Sequence, residues 1–372
     1  MMRDEIKNAQ LVVVKVGSRV LLFEDGRPNY ECIGHLVDQM ISLTRQGKKL
    51  VFVSSGAIGA GMEALGLKKR PSDLPTLRAA AAIGQVRLMR TYEDFFGRAG
   101  LIASQVLLTH EDLNNRKRHL NIKNTLNALL AHNAIPIINE NDTISVDEIK
   151  FGDNDVLASL VAMLLEAKAL ILLTTAEGFM VKKPDGHYER LANITELSQE
   201  VLSHIEEHKV GLSSGGMKSK ILAAANMIHV GGVAVIAPGL KEKVLTQIFC
   251  GDDIGTVVGE FFAESAQKMP GRKRWIAFYH RPKGSVMVDE GAKDALTFNG
   301  KSLLPVGIKS VCGSFNKGSV IEIRDQAGKG FAKGIAQMDS LEIEMIMGKS
   351  LSGLSSSMAL EVIHRDDLVI LG

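Results

Sequence analysis

The chain has 372 residues, 45% of them hydrophobic and 23% charged, and its 44 Lys and Arg nearly balance 42 Asp and Glu to leave a formal net charge of +2. That much apolar material provides for one large core and a smaller one, so two domains are expected. So small a net charge excludes a global field that would make nucleic acid or an anionic membrane the main partner. The opening MMRDEIKNAQ is charged and lacks the apolar core of a secretory leader, and apolar runs such as 169–173 fall far short of the ~20 residues a bilayer requires, so a cytoplasmic location is expected. Cys32, Cys250 and Cys312 are far apart and form no CxxC pair, which argues against both a disulfide framework and a zinc knuckle.

In chain order, β-branched runs at 11–16, 49–53, 102–108, 134–138, 169–173 and 233–236 alternate with segments of helical spacing at 33–45, 78–96, 118–131 and 218–228. Several of the runs are nearly continuous in Val, Ile and Leu, as strands covered on both faces are. The pattern predicts an α/β fold with a mainly parallel central sheet over residues 1–262. Residues 263–274, polar and carrying Pro270 and Gly271, read as a linker. Beyond it, short β-rich runs at 285–288, 306–311 and 319–323, punctuated by Gly and Asp, predict a small β-rich domain over 275–372.

Parallel strands present their ligand sites in the loops at their carboxyl ends, where helix N-termini offer unpaired amides. Four such loops carry chemistry. In Lys15-Val16-Gly17-Ser18 an apolar strand delivers a lysine into a turn of small residues, although a snorkelling lysine would look the same. Ser54-Ser55-Gly56-Ala57-Ile58-Gly59-Ala60-Gly61 could form a nest of amides around an anion, or serve close packing alone. Asn139-Glu140-Asn141-Asp142 and Gly152-Asp153-Asn154-Asp155 hold more amide and carboxyl groups than capping and turns account for. The fourth, Gly211 to Lys220, nearly imitates a Walker A loop, but Met217 separates Gly216 from Lys218 and breaks GxxxxGK[ST]. His204 and His208 lie one helical turn apart, but Ile205 stands where HExxH needs Glu and no third ligand is evident, so no metal site on the protein is expected.

Taken together and in order, VVVKVGS, VSSGAIGAG, INENDT, KFGDND and SSGGMKSK closely resemble the glutamate 5-kinases of the amino acid kinase family, and the tail is similar to the PUA module. The resemblance covers nearly the whole chain. It implies an amino acid kinase-like sandwich, phosphorylation of the side-chain carboxylate of L-glutamate by ATP with Mg²⁺ as the first step of proline synthesis, feedback inhibition by proline, and a homodimer or homotetramer. It places Lys15 and Lys220 about the transferring phosphoryl group, with Asp155 orienting both. Gly17 and Gly56 would lend amides; Ser55, Asp142 and Asn154 would hold glutamate, with Asp153 fixing the loop. ATP would lie over Thr174, Thr175 and the Ser214-Gly215-Gly216-Met217-Lys218-Ser219-Lys220 stretch. The family pattern after that strand is Thr-Asp and then Gly-Leu-Tyr. This chain instead has Thr174-Thr175 and Gly178-Phe179-Met180, which removes a carboxylate from the nucleotide side; Ser54 and Ser219 stand where threonine is common. Two alternatives remain at this level. One is a related kinase with another acceptor; the other is an RNA-binding protein acting through Arg272, Lys273, Arg274, Arg281 and Lys283.

Overall fold

The computed structural model describes residues 2–145, 154–183, 185–195, 201, 216–259, 270–279, 282–349 and 361–371. The chain divides into two compact units, Met1–Lys268 and Met269–Gly372. The division falls inside the segment expected as a linker. The last residues of that segment open helix Gly271–Phe278, whose Arg274, Trp275, Ile276 and Ala277 are buried.

The first unit is built on an eight-stranded sheet. Its strands are β1 (Leu11–Val16), β2 (Lys49–Val53), β3 (Ile102–Leu108), β4 (Ala134–Glu140), β5 (Ala169–Thr174), β8 (Asn193–Ile194), β9 (Val233–Pro238) and β10 (Thr256–Val258), in the order β3-β4-β2-β1-β5-β9-β10-β8. From β3 to β9 every pairing is parallel, and β10 then runs antiparallel to β9. A separate hairpin, β6 (Met180–Lys182) with β7 (Tyr188–Arg190), follows β5. The helices are α1 (Met2–Asn8), α2 (Ser18–Leu21), α3 (Tyr30–Arg45), α4 (Ala57–Ala64), α5 (Leu74–Arg98), α6 (His110–Asn114), α7 (Arg116–Ala131), α8 (Asn154–Leu165), α9 (Met217–Ala225) and α10 (Val244–Cys250).

Helices on both faces explain the apolar strands. Val12, Val14 and Val16 of β1 join the core that α3 and α5 complete, while α8 packs on the other side of β1 and β5. The period of two therefore sends Lys15 toward α8. α5 begins earlier than the sequence spacing predicts because Asp73 caps it, accepting from Thr76 N at 2.8 Å, with Pro75 in the first turn. The helix predicted at 218–228 stops at Ala225 and tightens into a 3₁₀ turn over Asn226–Val230. α4 and α5 meet backbone to backbone: a Cβ on Gly61 would sit 1.7 Å from Ala80 O, and one on Gly84 1.8 Å from Ala57 O. Only glycine permits that approach.

The second unit contains α11 (Gly271–Phe278), β11 (Ser285–Val288), α12 (Glu290–Thr297), β12 (Ile308–Cys312), β13 (Val320–Arg324), β14 (Gly330–Ile335), α13 (Ser340–Ile346) and β15 (Leu368–Ile370). Its sheet has the order β12-β11-β13-β14-β15, antiparallel except where β11 lies parallel to β13. Val286, Val288, Ile321, Ile323, Phe331 and Ile363 are part of its own core. The strand predicted at 306–311 starts at Ile308 because Pro305–Gly307 form a 3₁₀ turn.

Candidate active site

The parallel register aligns the carboxyl ends of β1, β2, β4 and β5: Lys15 lies level with Val53 and Leu172, and Val53 level with Ile138. Three separate stretches meet just beyond. Asp155, in the first turn of α8, is fully buried. Its Oδ1 lies 2.5 Å from Lys15 Nζ, and its Oδ2 accepts from Lys220 Nζ at 2.7 Å. Both lysines are buried too, at 2% and 6% exposure, so one carboxylate is shared between two ammonium groups and offsets only one of the two charges. Ser219 Oγ reaches the same Oδ2 at 3.4 Å and donates to Gly216 O at 2.9 Å, binding the start of α9 to the cluster. Lys218 is exposed; the helical turn that buries Lys220 directs its neighbour to solvent.

A second polar group adjoins the first. Asn154, the residue before Asp155, donates from Nδ2 to Ser54 O (2.6 Å), Ser55 Oγ (3.2 Å) and Asn139 Oδ1 (2.9 Å). Ser54 Oγ shares a 2.7 Å hydrogen bond with Tyr92 Oη. Burial pushes the Tyr92 phenol well above its ordinary value, opposed more weakly by that hydroxyl, so it stays protonated. Gly56 follows at φ 94°, a left-handed turn that L side chains resist, and opens α4 with its first amides pointing along the helix axis. Asp142 sits half-buried in the turn after β4, where Asn141 O accepts from Ser145 N at 3.0 Å and Ser145 Oγ donates to Glu140 Oε1 at 2.7 Å.

The expected set is therefore gathered from distant parts of the chain: Lys15, Asp155, Lys220 and Ser219 form one cluster, and Ser55 and Asn154 another beside it. One expectation needs correction. The Gly17 amide is committed to Leu173 O at 3.0 Å, because the β1–β5 ladder runs one residue further than the strand itself. A Cβ at Gly17 would meet only ordinary contacts, 3.4 Å from Leu173 O and 4.0 Å from Lys15 Nζ. Thr174 ends β5 half-buried, its carbonyl accepting from Gly239 N at 2.7 Å, and Thr175 is exposed. The hairpin after them is anchored on β10 by Thr256, whose Oγ1 accepts from Phe179 N (2.8 Å) and donates to Leu191 O (2.6 Å). Asp153, Ser214 and Gly215 lie outside the described residues, as do His204 and His208. Asn139, from the Asn139–Asp142 loop picked out in the sequence, joins this second group, and Arg78, Gln85 and Tyr92, which no motif singles out, reach it from α5. Their spacing of seven along a helix was the available signal for these three.

In the second unit the basic residues considered for RNA that are described sit in different surroundings. Arg274 is buried, and Arg272 Nη2 pairs with Asp367 Oδ1 at 2.5 Å. Arg281 lies outside the described residues. No helix among the described residues is long and apolar enough to cross a membrane.

A carboxylate holding two buried lysines at the ends of parallel strands, next to amide-rich loops, is an arrangement suited to a phosphotransferase, whose chemistry calls for cations around the transferring group. The sequence comparisons make that class specific. Residues 10–237 match the amino acid kinase family and residues 284–352 match the PUA domain. The chain is 41% identical to the glutamate 5-kinase of Citrifermentans bemidjiense over the full length of both. It is 42% identical to that of Syntrophus aciditrophicus, covering 98% of this chain and 95% of that one. The chain belongs to the amino acid kinase family, with its glutamate 5-kinases as full-length relatives.

Proposed function

We propose that the protein catalyses transfer of the γ-phosphoryl group of ATP to the side-chain carboxylate of L-glutamate, giving glutamyl 5-phosphate and ADP, the first step of proline synthesis. The observation that carries this reading is the Lys15–Asp155–Lys220 bridge lying directly beside Asn154 and Ser55. A side-chain carboxyl with a pKa near ~4.3 is already ionised at neutral pH, so the nucleophile needs no base. The difficulty is bringing an anion against a polyanion. Lys15 and Lys220 oppose that repulsion, and their hold strengthens as charge moves onto the leaving diphosphate while the carboxylate oxygen bonds to phosphorus and the bridging P–O bond breaks. Asp155 keeps both ammonium groups aimed while the pocket is empty. The amides opening α4 face the transferring oxygens, and Ser55, Asn154 and Asp142 bind the amino acid end.

ATP lies over Thr174, Thr175 and the start of α9 in this reading, with Ser219 and the residues before it near the phosphates. Both oxygens of Asp155 are occupied by lysines, and among the described residues no group of three His, Cys, Asp or Glu could hold a metal.

A coupled ADP-release assay with Mg-ATP and a panel of glutamate, acetylglutamate, aspartate and UMP tests the reading, and turnover is expected with glutamate. Turnover with another member of the panel and none with glutamate would replace it. Adding proline to the same assay tests feedback inhibition.

A further inference from the structure

One face of α5 touches the acceptor pocket at three levels. Arg78, Gln85 and Tyr92 are spaced by seven, and an α-helix drifts only ~20° per seven residues, so they form a single polar stripe. Arg78 Nη2 donates to Ser145 O at 2.7 Å, at the end of the turn that carries Asp142. Gln85 Oε1 accepts from Asn139 Nδ2 at 2.9 Å. Tyr92 bonds Ser54 as described. Asn139, Ser54, Gln85 and Tyr92 are all buried. The glycine contacts at Gly61 and Gly84 fix this helix against α4, so the stripe cannot shift without moving the amide loop as well.

The middle contact matters most, because it sets which way two amides face. Asn139 Oδ1 accepts from Glu140 N at 2.9 Å and from Asn154 Nδ2 at 2.9 Å, while its Nδ2 is taken up by Gln85. Turning Asn139 over would set its carbonyl against the Gln85 carbonyl and its NH₂ against the Asn154 NH₂. With Asn139 held, Asn154 spends its NH₂ group on three protein acceptors, and its Oδ1, which takes no partner among the described residues, is left to accept from a ligand. An amide presented carbonyl-first selects a donor such as an ammonium group and disfavours a carboxylate at the same point.

We propose that Gln85 is a positioning residue for the acceptor: through Asn139 it locks Asn154 carbonyl-outward, so that the pocket demands an ammonium group on the carboxylate it phosphorylates. This rests on the amino-acid kinase reading above. The test compares kcat and KM for glutamate and for glutarate, the same dicarboxylate without its ammonium, in the full-length enzyme. Gln85→Met, which keeps the bulk and loses the acceptor, should raise the glutamate KM tenfold or more. The ATP KM should stay within twofold, and the preference for glutamate over glutarate should shrink by a similar factor. Gln85→Glu, which keeps the acceptor, should recover most of that preference, and Gln85→Met with Asn139→Ala should be no worse than Asn139→Ala alone. An unchanged glutamate-to-glutarate ratio in Gln85→Met, or an equal loss in Gln85→Glu, would overturn the inference. Should Gln85→Met fold poorly, Gln85→Glu and Asn139→Ala carry the same ratio test. If the wild-type enzyme turns over a different amino acid and not glutamate, the functional reading fails, while the ratio between that acceptor and its deaminated analogue still reads Gln85.

Discussion

Two carboxylates in the first unit each bridge two cations, at nearly the same distances and in opposite surroundings. Asp155 is fully buried between Lys15 and Lys220; Asp253, 64% exposed, binds Arg3 Nη2 at 2.6 Å and Arg190 Nη2 at 2.8 Å. The outer cluster also reaches backbone, with Arg3 donating to Asp252 O and Ile254 O and Arg190 to Gly255 O. It ties α1 and the β6–β7 hairpin to one loop. In water such a tie contributes little, whereas burying three charges costs several kcal/mol per ion before their mutual attraction returns it. A fold seeking only stability would fill the inner position with apolar side chains. Retaining lysines there makes sense if an anion arrives to be held by them.

The largest expected effect comes from removing the inner carboxylate. Asp155→Ala leaves two buried ammonium groups facing each other and should lower unfolding stability by about 3–5 kcal/mol, read from the urea midpoint. The sharper version replaces all three residues: Lys15→Met, Asp155→Leu and Lys220→Met together should recover most of that stability while abolishing turnover. If the triple variant were as unstable as Asp155→Ala, the cluster would be structural and the contrast with Asp253 would collapse. Next in size, Lys15→Ala and Lys220→Ala should each lower kcat roughly 10²-fold or more, as loss of a donor to a developing charge does. Near-normal turnover in either would remove that lysine from the reaction. Lys218→Ala should cost less than about tenfold, mainly in the ATP KM, because an exposed lysine meets phosphate through screened charge.

The sequence made the inner cluster easy to suspect and the outer one invisible. A lysine ending an apolar strand and an acid opening a helix violate the local pattern, and such violations gather where a ligand binds. Most of the parallel strands were legible for a related reason: strands covered on both faces are nearly continuous in apolar residues, as β1, β2, β5 and β9 are, whereas β3 is half-exposed and β4 runs on through Asn139 and Glu140. Arg3, Arg190 and Asp253 break no pattern, since each is an ordinary polar residue on a surface element, and only the fold brings them together. Gln85 and Tyr92 were hidden differently. They replace apolar residues on the buried face of an otherwise regular helix, and their hydrogen bonds run to strand ends that the sequence does not place beside it. The Gly17 amide, which the resemblance assigns to the phosphate, is instead taken up because the ladder with β5 continues to Leu173 O.

The smallest expected effect belongs to the outer carboxylate and gives the comparison its control. Asp253→Ala should change unfolding stability by under about 1 kcal/mol at moderate salt, less as salt is raised, and leave kcat within about twofold. Its pH dependence has a definite sign. Hydrogen bonding from Arg190, opposed by slight burial and aided by the charges of Arg190 and Arg3, holds the Asp253 carboxyl below its ordinary value. A depressed folded-state pKa means the contribution is complete above the unfolded value near ~3.9 and fades as pH falls through the lower folded value. The stability difference between wild type and Asp253→Ala should therefore be flat from neutral pH down to about 5 and close under stronger acid. A difference of several kcal/mol at pH 7, or one that salt does not reduce, would mean that exposure is not what separates the two clusters.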